Sequence, residues 1–293
     1  MRTARDTCRF GMRKTGMKKA AIMYDFDKTL CDRDMQEYSL IPDLGYARPK
    51  DFWKEVGRLS EENRMDGISA YLFMLKKKYE EAGHPLKQSD FEGVGQNINL
   101  YPGVREWFGR INAYGKEHGI EVEHYIISSG MEEIINDSAI ASEMKRIYAC
   151  RYYYDENGFA QWPAQIVNYT TKTQYIFRIN KQVLDESNDS DLNTWVPMEE
   201  RPIPFSRMIY IADGLTDVPC MKLVKANGGN AIAVYNKNSA DAGFAAMKLI
   251  QENRADFIAP ADYTEGEKID TLVKRMIDEM STAAALEEYK GVM

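Results

Sequence analysis

Apolar residues along the chain gather into short continuous runs at 20–24, 208–212 and 231–235, and into shorter ones that close the stretches 121–127 and 256–259. Runs of this length, apolar at successive positions, predict strands buried on both faces. Between them the period changes. Residues 104–114, 173–184 and 268–280 place apolar side chains at helical spacing, and 131–135 begins another helix. Strands alternating with helices predict an α/β fold: a doubly wound, mostly parallel sheet covered on both faces.

Two stretches depart from that alternation. From 32 to 98 no run resembles a parallel strand. Asp51 is placed to cap one helix and Asp66 a second, which closes in Lys76-Lys77-Lys78 before Gly83-His84-Pro85, and Ser89 opens a third helical piece. This is a helical module set into the sheet. Around 147–167 the chain is rich in aromatics, and Asp155-Glu156-Asn157-Gly158 marks a tight turn, so a β-hairpin is expected. The polar stretch 185–193 and the proline-dotted loop through Pro204 carry no element that the pattern identifies.

The polar residues matter most where the apolar runs stop. Asp25 and Asp27 follow the first run, Ser128 and Ser129 the second, and Asp213 and Asp217 the third. In parallel sheets, ligands sit beyond the carboxyl ends of the strands, so the fold brings these clusters together. Two carboxylates in one pocket repel unless a cation or a shared proton relieves them.

Composition narrows the class. The 293 residues suffice for a large core with an insertion, and 44% hydrophobic with 28% charged residues is a soluble globular profile. A net charge of −7 argues against a general nucleic-acid binder, which needs a basic surface. No run approaches the roughly 20 apolar residues that span a bilayer. Residues 1–19 hold seven basic side chains against Asp6 and lead into no secretory apolar segment, so they read as a disordered basic extension, with Met17 the expected natural start. The core is assigned to 20–31 and 99–293, with 32–98 as the inserted cap. Cys8, Cys31, Cys150 and Cys220 show no metal-ligand spacing and read as buried fillers in a reducing cytoplasm.

Taken together, these motifs resemble the haloacid dehalogenase superfamily, in particular its phosphatases. Asp25, Asp27 and Thr29 match its Asp-x-Asp-x-Thr motif, Ser128 its serine or threonine after a strand, Lys172 its lysine, and Asp213 with Asp217 its acidic pair. Ser129 is the alternative to Ser128, and Lys181 lies nine residues beyond Lys172. The resemblance covers about 20–30 and 100–265 and implies a Rossmann-like doubly wound parallel sheet with an inserted helical cap. It further implies that Asp25 attacks phosphorus while Asp27 serves as acid and base. Thr29, Ser128 and Lys172 then meet the phosphoryl group, and Asp217 holds Lys172 or a metal-bound water. Mg²⁺ is held by Asp25, the main-chain carbonyl of Asp27, and Asp213. Ala212 stands where the family often has glycine before the acidic pair.

The residues themselves suit this chemistry. Phosphoryl transfer needs a nucleophile, charge neutralisation around the phosphoryl oxygens and a proton for the leaving group. The second acid, Asp27, sets the chain apart from the superfamily's dehalogenases. Phosphoserine phosphatases share the layout and carry an acid nine positions after the nucleophile, here Asp34, which meets the substrate amine. The reading is a Mg²⁺-dependent hydrolase of a small phosphorylated metabolite, with no nucleic-acid or membrane partner. A phosphotransferase and a non-catalytic binding module are its rivals.

Overall fold

The run at 20–24 becomes the central strand of the sheet in a computed structural model that describes residues 16–289. Seven strands succeed one another: β1 (Lys18–Tyr24), β2 (Ile120–Met131), β3 (Arg146–Tyr154), β4 (Ala160–Gln165), β5 (Met208–Ala212), β6 (Asn230–Tyr235) and β7 (Phe257–Pro260). They lie in the order β4-β3-β2-β1-β5-β6-β7. All neighbours are parallel except β3 and β4, the expected hairpin. Its turn closes through Gly158 N to Asp155 O (3.0 Å), with Gly158 at φ +78°.

Strand β1 begins earlier than the apolar run. Lys18 and Lys19, read from sequence as part of the disordered extension, are strand residues, and Lys19 Nζ reaches Glu123 at 2.6 Å on β2. The ladder and the ion pair order two lysines that hydropathy alone leaves in the tail. Residues 1–15, with Cys8, lie outside the described residues. Strand β2 also runs on, through Ser128 to Met131, with an irregularity in its register between Ile127 and Met131. A bulge of this kind re-aims side chains at a strand end.

The connections supply the covering layers. The helical module contains α1 (Leu40–Asp43), α2 (Pro49–Asn63) and α3 (Gly67–Glu81). Asp66 caps α3, accepting from Ile68 N (3.1 Å) and Ser69 N (3.0 Å). The third helical piece expected from Ser89 is instead a single tight turn, Gln88–Phe91, because glycines at 93 and 95 break the chain directly after it. The module leaves and re-enters the sheet domain at one place. Asp32 N donates to Asn99 O (3.2 Å), Tyr101 N donates to Leu30 O (3.0 Å), and Cys31 bridges Leu100.

The remaining helices are α4 (Val104–Glu117), α5 (Glu132–Asn136), α6 (Lys172–Lys181), α7 (Asp189–Asn193), α8 (Val218–Ala226), α9 (Ala240–Gln251) and α10 (Lys268–Tyr289). Helix α4 packs on the sheet through Trp107, whose Nε1 donates to the Tyr24 hydroxyl (2.7 Å) in the core. Gly103 precedes α4 at φ +75°, and a Cβ there would lie 2.3 Å from the Thr264 nitrogen, so only glycine fits. His124, also touching Tyr24, is pushed by burial down to about 3 and stays neutral. Among the described residues no helix is long and apolar enough to cross a membrane.

After β1 the chain builds β2, β3 and β4 on one side, then returns to lay β5, β6 and β7 on the other. The sheet therefore has its switch point beside β1, the place where open α/β sheets leave a crevice.

Candidate active site

At that crevice four segments converge. Asp25 leaves β1 with its N–H bonded to Ile211 O of β5 (3.0 Å), which fixes the nucleophile candidate against the neighbouring strand. Beyond β5, Asp213 and Asp217 curl back over the strand ends. Lys172 arrives from the far side as the first residue of α6. The turn that delivers it is built by Asn168, whose Oδ1 accepts from the N–H groups of Thr170 (3.2 Å) and Thr171 (3.0 Å).

Lys172 is the hinge of the arrangement. Its Nζ donates to Asp25 Oδ1 at 2.9 Å and to Asp217 Oδ1 at 2.7 Å, with the lysine and Asp217 both buried. Burial works against its ammonium, but Asp217 and Asp25 outweigh it and hold the pKa above the ordinary lysine value. Lys181, the competing position, instead donates to Leu192 O and Thr194 O at the C-terminal end of α7. Asp217 occupies the cap position of α8 yet does not cap it. Its Oδ1 also accepts from Tyr210 (2.6 Å), and its Oδ2 accepts from Thr216 (2.9 Å). The hydrogen bonds from Tyr210 and Thr216 fix the carboxylate that Lys172 meets.

The carboxyls of Asp25, Asp213 and Asp217 come within 4.8 Å of one another. Burial, with Asp217 beside it, raises Asp25 to about 6 despite Lys172; burial, with Asp25 and Asp217, raises Asp213 to about 8. Such crowding of hard oxygen donors fits a divalent cation of the Mg²⁺ type, which removes the repulsion. The expected ligand set is Asp25 and Asp213 through their carboxylates and Asp27 through its main-chain carbonyl. The carboxylate cluster contains the first two, with Asp217 as the third member, its oxygens already engaged by Lys172, Tyr210 and Thr216. The Asp27 carboxyl points elsewhere and accepts from Met35 N at 2.9 Å. Burial, then the charges of Asp34 and Asp25, raises the Asp27 pKa well above the usual carboxylate range, the state of a group that gives up a proton.

The remaining sequence candidates divide. Ser128 and Ser129 both line the cavity above the cluster. Ser128 Oγ accepts from Gly130 N (3.0 Å), so it does not cap α5, whereas Ser129 Oγ is buried with no partner. Thr29 is buried, its Oγ1 unpartnered and its carbonyl accepting from Tyr263 (2.9 Å), and it is not part of the cavity wall. Asp34 does line the cavity, but Lys28 holds it at 2.7 Å. Lys28 was missed from sequence; it sits at φ +57°, a strained conformation for a side-chain-bearing residue. Trp53 and Tyr71 of the module and Tyr169 before α6 were also missed, since nothing in their local pattern separates a cavity wall from a core. Cys31 and Cys220 are buried free thiols raised by burial, Cys220 to about 12, which makes them fillers.

Comparison with known proteins agrees with this geometry. The family model for haloacid dehalogenase-like hydrolases matches residues 22–222. The chain belongs to that family. An uncharacterized protein of Borreliella burgdorferi is 28% identical over 279 residues, covering 85% of this chain and 93% of its own. Among solved structures, a haloacid dehalogenase family hydrolase of Salmonella enterica serovar Typhi superposes with a TM-score of 0.56 at 14% identity, over 90% of this chain and 72% of that one. A substrate-bound phosphoserine phosphatase complex gives 0.53 at 16% identity, over 88% and 98%. A phospho-aspartyl intermediate analogue of phosphoserine phosphatase gives 0.51 at 17%, over 88% and 99%. At these identities the likeness is one of fold.

Proposed function

We propose that the protein is a Mg²⁺-dependent phosphatase that hydrolyses a small phosphomonoester through an aspartyl phosphate on Asp25. The observation that carries the reading is the Lys172 ammonium, held between Asp25 and Asp217 where it offsets charge on nucleophile and phosphoryl group. Asp25 and Asp213 would hold the metal, which when bound supplies positive charge to the phosphoryl oxygens.

In the first half-reaction an Asp25 oxygen forms a bond to phosphorus as the bond to the leaving oxygen breaks. Asp27, protonated because of its enclosed setting, gives its proton to the departing alkoxide. In the second, water attacks phosphorus and Asp27 takes its proton. The acyl–phosphate bond breaks, releasing inorganic phosphate and restoring Asp25. Ser128 and Ser129 border the space the phosphoryl group would occupy, and Ser129 brings an unused donor. The cavity, about 420 Å³, suits a small metabolite. The related fold caught as a phospho-aspartyl intermediate analogue supports the same course.

Hydrolysis of p-nitrophenyl phosphate with and without Mg²⁺ tests the proposal. Metal-dependent release of phosphate is expected; no turnover with any divalent metal, on that ester and on a metabolite panel, refutes it.

A further inference from the structure

The side of the cavity facing the carboxylates belongs to the helical module. Trp53 and Val56 come from α2, Ile68 and Tyr71 from α3, and Asp34 from the loop before them. The Trp53 and Tyr71 rings lie 5.4 Å apart with their planes at 47°. Among the described residues lining the cavity there is no arginine, and both lysines are engaged, Lys172 by Asp25 and Asp217, Lys28 by Asp34. A carboxylate on the leaving group would therefore lose its hydration beside carboxylates, with no free cation to meet it. That is a costly placement. A positive group meets the opposite situation. Aromatic walls attract cations, and Asp34 is the one lining carboxylate outside the Asp25–Asp27–Asp213 group. The Lys28–Asp34 pair is exchangeable in one direction: an ammonium that takes Asp34 releases the more exposed Lys28 (47% against 25%) to solvent, whereas a carboxylate that takes Lys28 leaves Asp34 beside Asp27 with no cation.

On the phosphatase reading above, we propose that the leaving group is an amino alcohol: it carries a positively charged amine and no carboxylate. The cavity then separates phosphorylated amino alcohols from phosphorylated amino acids by the absence of a free cation. Uncharged alcohols fall below the amines because they gain nothing from the aromatic wall.

The test measures kcat/KM of the full chain with Mg²⁺ on O-phosphoethanolamine, phosphocholine, sn-glycerol 3-phosphate and O-phospho-L-serine, with p-nitrophenyl phosphate as a reporter of basal phosphatase activity. At least one amine ester is expected to exceed both glycerol phosphate and phosphoserine by about tenfold. Phosphoserine or glycerol phosphate equal to or better than both amine esters overturns the inference and leaves the phosphatase reading standing. Absence of p-nitrophenyl phosphate turnover removes that reading and this one with it. Two variants sharpen the ranking. Trp53→Leu is expected to lower the ratio of amine ester to glycerol phosphate about tenfold. Ile68→Arg, at a half-exposed position, is expected to raise the ratio of phosphoserine to amine ester by about as much. Ratios unmoved by both changes overturn the assignment of this wall.

Discussion

Lys172 and Asp217 meet at 2.7 Å in a place solvent does not reach, with side-chain exposures of 1% and 0%. A pair so enclosed acts by its completeness, since either partner left alone is a buried, uncompensated charge. Lys172→Met should therefore destabilise the protein by about 3–5 kcal/mol and abolish turnover. Urea denaturation provides the measurement, and a loss below about 1 kcal/mol would show the pair to be solvated.

Asp25→Asn should abolish turnover with the fold intact, seen as unchanged far-UV circular dichroism beside zero phosphate release. Asp27→Asn removes the proton donor but leaves the nucleophile. Turnover should fall by about 10²–10⁴, with phosphate retained on the protein long enough to trap by acid quench. Rapid release from that variant contradicts the acid and base role.

The crowded carboxyls predict how stability follows pH in metal-free protein. Asp213 is raised to about 8 and Asp25 to about 6, so between their ordinary 3.8 and those values the folded chain binds more protons than the unfolded one. Stability contributed by these groups is thus greatest at low pH and falls as pH climbs through the window. Asp213→Asn should flatten that fall in Tm between pH values of about 5 and 8. Mg²⁺, which binds the ionised carboxylates, should raise Tm more at the upper end than at the lower. An equal shift at both ends argues against the cluster as the metal site.

Asp66 links module and sheet domain. It caps α3, and its Oδ2 accepts from Asn168 (3.2 Å), in the turn that delivers Lys172. Asp66→Ala should cost about 1 kcal/mol in urea denaturation, while Asp66→Asn, which keeps an acceptor, should stay within about 0.5 kcal/mol of the parent.

Much of this was legible before any coordinates. Buried parallel strands advertise themselves as unbroken apolar runs, so β1, β5 and β6 stood out, and with them the acids at the ends of β1 and β5. Lys172 was reached only through the resemblance, as the lysine best placed for its third motif; the Asn168 turn that delivers it was not read. What stayed hidden depends on neighbours distant in sequence. The Tyr210 hydroxyl reads as one more apolar-strand residue until Asp217 folds back onto it. Asp34 looked like a free acid for a substrate amine, and only the left-handed turn at Lys28 reveals its partner. Helices α8 and α9 escaped notice; α9 exposes Phe244 and Met247, which blurs its polar face.

The β3–β4 hairpin has a role its aromatic composition did not announce. Beyond the narrow base where the module joins the sheet domain, Gln88 N donates to Gly158 O (2.9 Å), Ala160 N donates to Leu86 O (2.8 Å), and the Tyr152 hydroxyl donates to Leu72 O. The module is thus stitched on two sides, like a lid with both a hinge and a clasp. Fastened at both places, the module has little room to swing away from the strand ends, and the hairpin acts as the stay that limits its travel.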